Sequence, residues 1–227
     1  MAARRVMETV RRAKQILQTE GFPSLLRHVL SFLNRGCFQY ETYYLYEHTL
    51  KERNEAEFMP RIQNFTFKIV SNNQQADELA ADGLEFRSII NNSRQWLDKG
   101  AVAFCIFADA ELAHIGWVAM TEEAKNTFDP IPYRVDFSNK EACTGGTWTN
   151  PEYRGNGLMV YGYFKRFQFL RERGIRVSRN IVAKGNIASQ TAHAKFAPKI
   201  HGEARYLKIL WWQFWREKPL TQAARPG

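Results

Sequence analysis

The chain has 227 residues, 44% of them hydrophobic, which excludes a wholly disordered protein and provides enough material for one large domain. No uninterrupted apolar run reaches about 18 residues, so we expect no membrane-spanning helix. The net charge of +9 is uneven: residues 1–40 carry +5, residues 41–149 carry −7 and residues 150–218 carry +10. The basic segments favour a polyanionic partner, which leaves a phosphate-rich cofactor, an anionic membrane and a nucleic acid open.

Residues 1–35 have the periodicity of two basic amphipathic helices, with Gly21 and Pro23 between them. Two interpretations of their apolar faces stay open: packing on the main domain, or docking on a membrane surface or a partner. We expect a cytoplasmic protein, which in the second case is also held peripherally at the membrane. Residues 40–57 mix aromatic and charged side chains and are interpreted as a short helix or an irregular linker, so the N-terminal segment extends over 1–62.

From Phe65 onward the pattern predicts one mixed α/β domain over residues 63–218, followed by a tail over 219–227. Strand periodicity, or helical periodicity with capping residues, predicts each element in turn. The predicted elements are a strand from Phe65, helices at 73–82 and 87–98, a hairpin of strands at 101–108 and 112–120, a polar connection at 121–139, a strand at 141–149, a helix at 158–173, a strand at 176–183, a helix at 186–196 and one final strand at 205–215. Gly145 and Gly146 indicate a bulge, or a close backbone approach, within the strand at 141–149.

The segment Thr149-Asn-Pro-Glu-Tyr-Arg-Gly-Asn-Gly-Leu158 carries the clearest chemical signal. It joins a strand to a helix through a turn with two glycines, and amides that converge at a helix start can hold a pyrophosphate. No glycine stands at Val160 and no Gly-Lys-Ser/Thr follows, which excludes the dinucleotide fingerprint and the P-loop. The turn by itself leaves a phosphate loop and a plain tight turn equally open.

This segment resembles the Pro-x-Tyr-Arg-Gly-x-Gly loop of the GNAT acetyltransferase superfamily, here Pro151-Glu-Tyr-Arg-Gly-Asn-Gly157. Asn186-Ile-Ala-Ser189 resembles that family's Asn-x-x-Ala/Ser segment, and the order of elements from Phe65 to Phe196 agrees with its layout. The resemblance covers residues 63–218 and implies a GNAT-like mixed sheet flanked by helices, with an N-terminal helical extension in this chain.

The resemblance implies an acyltransferase that binds acyl-CoA, most simply acetyl-CoA, where the strands at 141–149 and 176–183 separate. The acyl group would pass directly to an amine of a small molecule or a protein, while a backbone amide near Gly146 or Trp148 polarises the thioester carbonyl. The residues implied in cofactor binding are Thr147, Trp148, Thr149, Tyr153, Arg154, Gly155, Asn156, Gly157, Leu158, Asn186 and Ser189.

Proton handling is the least regular part of the resemblance. Glu141 stands where some family members carry a general base, with Asp136 as the second choice and a solvated carboxylate as the alternative. His193 stands where the family often has a tyrosine that protonates the departing thiolate. Ala197-Pro198 replaces the family's Gly-Phe, and one strand is predicted where the family has two. A non-catalytic module that binds CoA or another ligand therefore stays open.

The remaining candidate residues favour structural roles. Cys37, Cys105 and Cys143 lack the spacing of a zinc or dithiol site, so we expect no metal and reduced thiols. Cys143 has no evident histidine partner, which favours a buried strand residue over an acyl-carrying nucleophile. His114 is interpreted as a packing residue or a hydrogen-bonded surface group, and the cations of 165–179 as a mostly solvated helix face. No recognition motif accompanies the charge, so we do not expect nucleic-acid binding.

Overall fold

The computed structural model describes residues 38–220, so the helices predicted over 1–35 and most of the predicted tail lie outside the described residues. Within that range the strands are β1 (Phe38–Thr49), β2 (Phe65–Val70), β3 (Val102–Ala108), β4 (Glu111–Ala119), β5 (Glu141–Thr149), β6 (Val177–Ala183), β7 (Lys199–Ile209) and β8 (Trp212–Pro219). The helices are α1 (Asn73–Ala81), α2 (Ser93–Asp98), α3 (Glu122–Phe128), α4 (Leu158–Glu172) and α5 (Ile187–Ala194). None of these helices is long and apolar enough to cross a membrane.

The strands form one mixed sheet in the order β2-β3-β4-β5-β6-β1-β7-β8. Strands β2 to β5 pair antiparallel in sequence, β5 and β6 pair parallel, and β6 pairs antiparallel with β1. The chain divides into two compact units. The larger one contains residues 43–204 and 217–220 of the described range and all five helices, and the smaller one contains residues 38–42 and 205–216.

Helix α4 supplies much of the core of the larger unit. The residues predicted to repeat every three positions are all buried, as the pattern requires: Leu158, Tyr161, Phe164, Phe167 and Leu170. They pack with apolar residues of β3 and β4, with Phe58 and with Phe196 of the segment after α5. The rings of Phe58 and Phe196 stack at a centroid distance of 5.0 Å. The core therefore fixes the start of α4, where the two-glycine turn enters it.

The interpretation of residues 40–57 as a helix or linker is wrong for its first ten residues, because these belong to β1. Its register with β6 runs from Tyr43 opposite Ala183 to Thr49 opposite Val177. Tyrosine and threonine favour strands, and Tyr46 and His48, two positions apart, are both buried as on one face of a strand. The interspersed carboxylates concealed this alternation, and one of them, Glu47, pairs with Arg179 of β6 at 3.0 Å.

Three other predicted elements differ from the structure. Residues 121–139 contain α3, whose first turn is capped by the Thr121 hydroxyl accepting from the Ala124 amide at 3.2 Å. Helix α2 is shorter than predicted and begins at Ser93. The single final strand is instead the hairpin of β7 and β8, because the chain reverses at Leu210, whose φ of 56° is a turn conformation.

Candidate acyl-donor site

The parallel strands β5 and β6 separate part-way along their length. They pair at Glu141 with Val177, at Ala142 with Ser178 and at Cys143 with Arg179, and at no later position. Beyond these pairs β5 continues to Thr149 and β6 to Ala183. Backbone groups along the open edges are therefore free of each other and available to a ligand. The cleft predicted between these two strands is present.

A bulge in β5 lies next to this separation. The register between β4 and β5 shifts between Ile115 opposite Trp148 and Trp117 opposite Gly145, which leaves two residues of β5 facing one residue of β4. Gly146 has a φ of 55°, and a Cβ there would come within 2.9 Å of the Trp117 ring. Only glycine satisfies both the dihedral and the close approach. The bulge expected at these glycines is confirmed.

The two-glycine turn leads from β5 into α4. Residues Pro151–Tyr153 form one turn of 3-10 helix, capped by the Asn150 side chain accepting from the Glu152 amide at 3.1 Å. Gly155 and Gly157 then adopt φ values of 82° and 80°, and Leu158 begins α4. Two left-handed residues so close together turn the backbone sharply at the start of the helix, which orients successive amides toward one side.

Amides of this turn are available to an anion. Among the hydrogen bonds within residues 38–220, none has the amide of Gly155, Asn156 or Gly157 as its donor. A Cβ built on Gly155 meets no atom within 4 Å, so open space lies beside it. The first-turn amides of α4 add the positive end of the helix dipole. The residues present thus fit a pyrophosphate group.

The turn is held in place from its sides. The Arg61 amide donates to the Asn156 carbonyl at 2.9 Å, and the Asn156 side chain donates to the Tyr153 carbonyl at 3.2 Å. The Glu111 carboxylate accepts from the Asn150 side chain at 2.9 Å and from the Tyr153 hydroxyl at 3.3 Å. Arg154 is exposed, with its Nε 3.4 Å from the Thr149 carbonyl. These bonds pre-organise the turn without using the free amides.

The threonines predicted to bind the cofactor direct their hydroxyls into the protein. Thr147 accepts from Arg166 at 3.2 Å, and the Thr149 hydroxyl lies 2.8 Å from Nδ1 of His114. Trp148 between them is half-buried. These hydroxyls therefore fix the bulged part of β5, and the binding role of these three residues stays a prediction for their backbone groups.

Arg166 is fully buried, so the interpretation of the cations at 165–179 as solvated is wrong for this residue. Its Nε donates to the Gly162 carbonyl at 3.0 Å, and its guanidinium carbon lies 3.7 Å from the centre of the Tyr163 ring. Burial lowers the pKa of Arg166. The sequence contained a signal, because position 166 lies one helical turn after Gly162 and one before Leu170, on the buried face. His114 is also fully buried, not at the surface.

Asn186 and Ser189 act together at the start of α5. The Asn186 side chain accepts from the Ser189 amide at 3.0 Å, which confirms the predicted N-cap. Asn186 is exposed whereas Ser189 is buried. A contact with the cofactor stays a prediction for both residues. In Asn186 the side-chain amide nitrogen would make this contact, because the cap uses only the side-chain oxygen.

Glu141, the predicted general base, is engaged in an ion pair. Its two oxygens accept from Nε and an η-nitrogen of Arg179 at 2.6 and 2.7 Å, and one of them also accepts from the Asp136 amide at 2.8 Å. Burial raises the pKa of Glu141, but the bonds from Arg179 and Asp136, with the guanidinium charge, outweigh burial and hold that pKa below its usual range. The raised pKa that the base role requires is not found, and Glu141 positions β5 against β6.

His193, the predicted thiolate acid, lies in a buried chain of polar side chains. Its Nδ1 is 3.0 Å from Nε2 of His48, and its Nε2 is 3.0 Å from the Asn180 amide nitrogen. Burial, followed by the neighbouring His48 and Arg166, holds the pKa of His193 well below its usual value. Burial likewise lowers the pKa of His48 to about 3. Near neutral pH both imidazoles are uncharged, so the structure does not favour a protonated His193 as the acid.

A cavity of about 290 Å³ adjoins the point where β5 and β6 separate. Asn180, the first residue of β6 beyond the paired positions, lines it and is 3% exposed, and its Oδ1 has no partner among the described residues. Tyr46 of β1 also lines it, and its ring lies 5.2 Å from that of His193. Tyr46 was not identified from the sequence because no strand was predicted at β1. Asn180 was not identified, although its strand was predicted, because its partner His193 comes from a different segment. The other lining residues are Leu45, Tyr133, Arg134, Asp136, Glu141, Arg179, His201 and Glu217.

Cys143 is fully buried at the last paired position of β5. Burial raises the pKa of its thiol, and its sulfur lies 3.0 Å from the hydroxyl of Tyr133. A neutral buried thiol is a poor nucleophile, so the interpretation of Cys143 as a buried strand residue is confirmed. Within residues 38–220, no group of three or more His, Cys, Asp or Glu side chains is arranged to hold a metal ion.

The fold of the chain is similar to that of several solved structures. The chain is similar to a glucosamine N-acetyltransferase region of a fungal multi-domain β-N-acetylglucosaminidase, with a TM-score of 0.51 and 11% identity over 83% of this chain and 23% of that one. The chain has the GNAT-like fold. An acetyltransferase of the GNAT family from Colwellia psychrerythraea (TM-score 0.47, 13% identity, 82% and 62% coverage) and an N-acetyltransferase from Kribbella flavida (0.44, 13%, 89% and 73%) are also similar.

The chain spans less than two thirds of the fungal and Colwellia proteins. Neither a protein-family model nor a curated protein sequence matches it.

Proposed function

We propose that this protein transfers an acyl group, most simply acetyl, from acyl-CoA to an amine of a small molecule or a protein. The observation that carries the proposal is the combination of unused amides at Gly155, Asn156 and Gly157 with the separation of β5 from β6 after Cys143. The turn offers an anion site at the start of a helix, and the separated strands offer backbone hydrogen bonds to an extended chain. Acyl-CoA has both features, a pyrophosphate and a pantetheine arm, and supplies the activated thioester.

The cavity beside the strand separation supports an amine as the acceptor. Three carboxylates line it, those of Asp136, Glu141 and Glu217, against the two cations Arg134 and Arg179. Carboxylates on the lining attract an ammonium group to the cavity. Asn180 adds a buried amide oxygen without a partner, which can accept a hydrogen bond from the amine nitrogen.

Proton transfer in this proposal does not depend on Glu141 as a free base or on a charged His193. Glu141 keeps β5 and β6 in register through Arg179, and the chain Asn180–His193–His48 orients the Asn180 amide. The amine nitrogen forms the new C–N bond as the C–S bond of the thioester breaks. The nitrogen gives its proton to water, and the CoA thiolate leaves and takes a proton from water. The protein thus contributes binding and orientation of the two reactants, which can lower the activation barrier of a reaction between bound molecules substantially.

A second candidate function is a module that binds CoA or another ligand without catalysis. The specific observations that favour it are the ion-paired Glu141 and the buried neutral His193, the two residues for which the family resemblance implied proton transfer. This candidate shares the donor site with the first and differs only in turnover.

Titration calorimetry with CoA tests the donor site. Gly155→Val places a β-branched side chain in the space beside the free amides at a φ of 82°, so affinity should fall about tenfold or more, the cost of one or more lost hydrogen bonds to a charged group. Gly174→Val is the matched control, since Gly174 has a φ of 73°, has no atom within 4 Å of an added Cβ and lies at the opposite end of α4. Equal CoA affinity in the two variants would refute the donor site.

Thiol release from acetyl-CoA in the presence of mixed amines then separates the two candidates. Amine-dependent release that disappears in Gly155→Val supports acyl transfer. Binding of CoA without release for any amine class tested supports the non-catalytic module instead.

A further inference from the structure

The smaller unit exposes an aromatic surface at the hairpin of β7 and β8. Five consecutive or nearly consecutive apolar residues are well exposed: Ile209 (42%), Leu210 (45%), Trp211 (77%), Trp212 (59%) and Phe214 (52%). We refer to these five residues as the aromatic tip. Contiguous apolar surface of this kind marks an interaction site in most soluble proteins.

The two faces of the hairpin are used differently. Trp215 packs against the buried Tyr206 at a ring-centroid distance of 6.4 Å, so one face is satisfied within the unit. Trp212 and Phe214 lie on the opposite face, two residues apart, and their rings are nearly parallel at 14°. The exposed rings are thus arranged together at the end of a hairpin, and packing against the described residues of the unit, 38–42 and 205–216, leaves them exposed.

The charged residues nearest to the aromatic tip along the hairpin are cations. Residues 205–216 contain three cations, Arg205, Lys208 and Arg216, and no carboxylate. Tryptophan is favoured at the boundary between water and lipid, where its ring meets acyl chains and its N–H meets headgroups. Flanking cations are attracted to the negative surface of an anionic bilayer. A protein partner would also accept the rings, but it would not by itself require cations around them.

We propose that the aromatic tip docks on an anionic lipid surface, with its aromatic side chains in the headgroup region and Arg205, Lys208 and Arg216 against lipid phosphates. This surface differs from residues 1–35, whose membrane docking is a separate prediction. It also goes beyond acyl transfer, because it locates the protein and leaves the reaction as proposed.

Co-sedimentation of the full chain with vesicles tests the proposal. The protein should bind vesicles of phosphatidylglycerol and phosphatidylcholine in equal parts, bind pure phosphatidylcholine weakly, and bind less at high salt. Trp211→Ala with Trp212→Ala should weaken binding about tenfold or more. The matched control is Met59→Ala with Ile89→Ala, which removes comparably exposed apolar side chains of the larger unit.

A variant without two of the cations tests the proposed contact with lipid phosphates. Arg205→Gln with Lys208→Gln should weaken binding about fivefold per cation, whereas Lys51→Gln with Lys68→Gln, exposed lysines of the larger unit, should not. Circular dichroism confirms that each variant is folded. Absence of binding, or undiminished binding in the tryptophan variant, overturns the proposal. So does a wild-type dimer in light scattering that the tryptophan variant converts to a monomer, since the tip would then cover a second copy.

Discussion

The two-glycine turn at 150–158 and the residues predicted to transfer protons differ in the groups that they offer to a ligand. The two-glycine turn uses backbone groups, namely two glycines with positive φ and amides that no hydrogen bond within residues 38–220 uses. Nearby Tyr153 and the more distant Arg61 and Glu111 hold the turn in place, but they do not change the chemistry of its amides. The proton-transfer candidates are side chains whose properties depend on distant partners. Glu141 pairs with Arg179, 38 residues away, and His193 contacts His48, 145 residues away.

This difference has a chemical consequence. A backbone amide donates hydrogen bonds at every pH. The two-glycine turn can therefore bind an anion wherever its local fold is kept. A carboxylate or an imidazole takes its pKa from burial and neighbours, and here these neighbours make Glu141 a stronger acid and His193 a weaker base than usual. The amides of the turn are therefore insensitive to the surroundings that change the pKa values of Glu141 and His193.

Among the variants considered, Arg179→Met should lower the free energy of unfolding the most. Arg179→Met leaves Glu141 buried without its cation, and breaking a buried pair from one side costs about 3 kcal/mol or more. Lys184→Met is the control, because it breaks the pair with Glu203, in which the Lys184 side chain is 51% exposed, and such pairs contribute less than about 1 kcal/mol. Urea unfolding measures both.

The pH dependence sharpens this prediction. Because the folded-state pKa of Glu141 is lowered, its contribution to stability is complete above the ordinary carboxyl pKa of about 4.3 and is lost as pH falls through the folded-state value. The gap between wild type and Arg179→Met should therefore close on acidification. Equal costs for Arg179→Met and Lys184→Met would mean that Glu141 is not held by the pair and is free to act as a base.

The buried histidines should produce the next largest effect. The folded-state pKa is lowered to about 3 for His48 and well below the ordinary value for His193, so protonation favours the unfolded chain. The stability that each uncharged imidazole contributes is complete above an unfolded-state pKa of about 6.5 and falls as the pH drops below it. For His48, with a folded-state pKa of about 3, the loss is about 2 kcal/mol at pH 5. Stability measured from pH 7 to 5 should therefore fall less steeply in His48→Gln and in His193→Gln than in wild type.

Activity gives the corresponding functional test for His193. If acyl transfer is found, its rate should depend on pH in the same way on the alkaline side in wild type and in His193→Gln. An imidazole that is already uncharged near neutral pH does not titrate in that range. A limb near pH 6.5 that disappears only in the variant would show that His193 does titrate as an acid.

The sequence predicted those parts of the fold that short segments determine. Helix α4 follows from apolar residues three apart, the Gly146 bulge from adjacent glycines, and the start of α5 from Asn186. Each of these features depends on residues within a few positions of one another. The GNAT-like fold was predicted from the resemblance of the two-glycine turn, the Asn186 segment and the order of elements to that family, because the turn by itself left a plain tight turn equally open.

The features that were missed depend on tertiary partners. β1 is recognisable only beside β6, more than a hundred residues later, because its carboxylates Glu41 and Glu47 obscure the alternation. Arg166 is buried only because Gly116 leaves space: a Cβ at position 116 would lie 2.5 Å from the guanidinium. The cavity at Asn180 brings together residues from β1, β6 and the segment before β5. The helical period of α4 places Arg166 on the buried face, but single-segment patterns reveal neither the space beside Gly116 nor the partners of β1 and Asn180.

Substitution of Asn186 should change stability the least. Its side chain is predicted to contact the cofactor, whereas the two-glycine turn offers backbone amides. Its Oδ1 caps α5 through the Ser189 amide, so Asn186→Ala should cost about 1 kcal/mol in stability, whereas Asn186→Ser keeps a capping oxygen and should cost little. Both variants lack the amide nitrogen predicted to contact the cofactor. If that contact exists, CoA affinity measured by calorimetry falls by a similar factor in both, although only Asn186→Ala is destabilised. If Asn186→Ser binds CoA like wild type, the residue only caps the helix, and the donor site relies on backbone groups at this position as well.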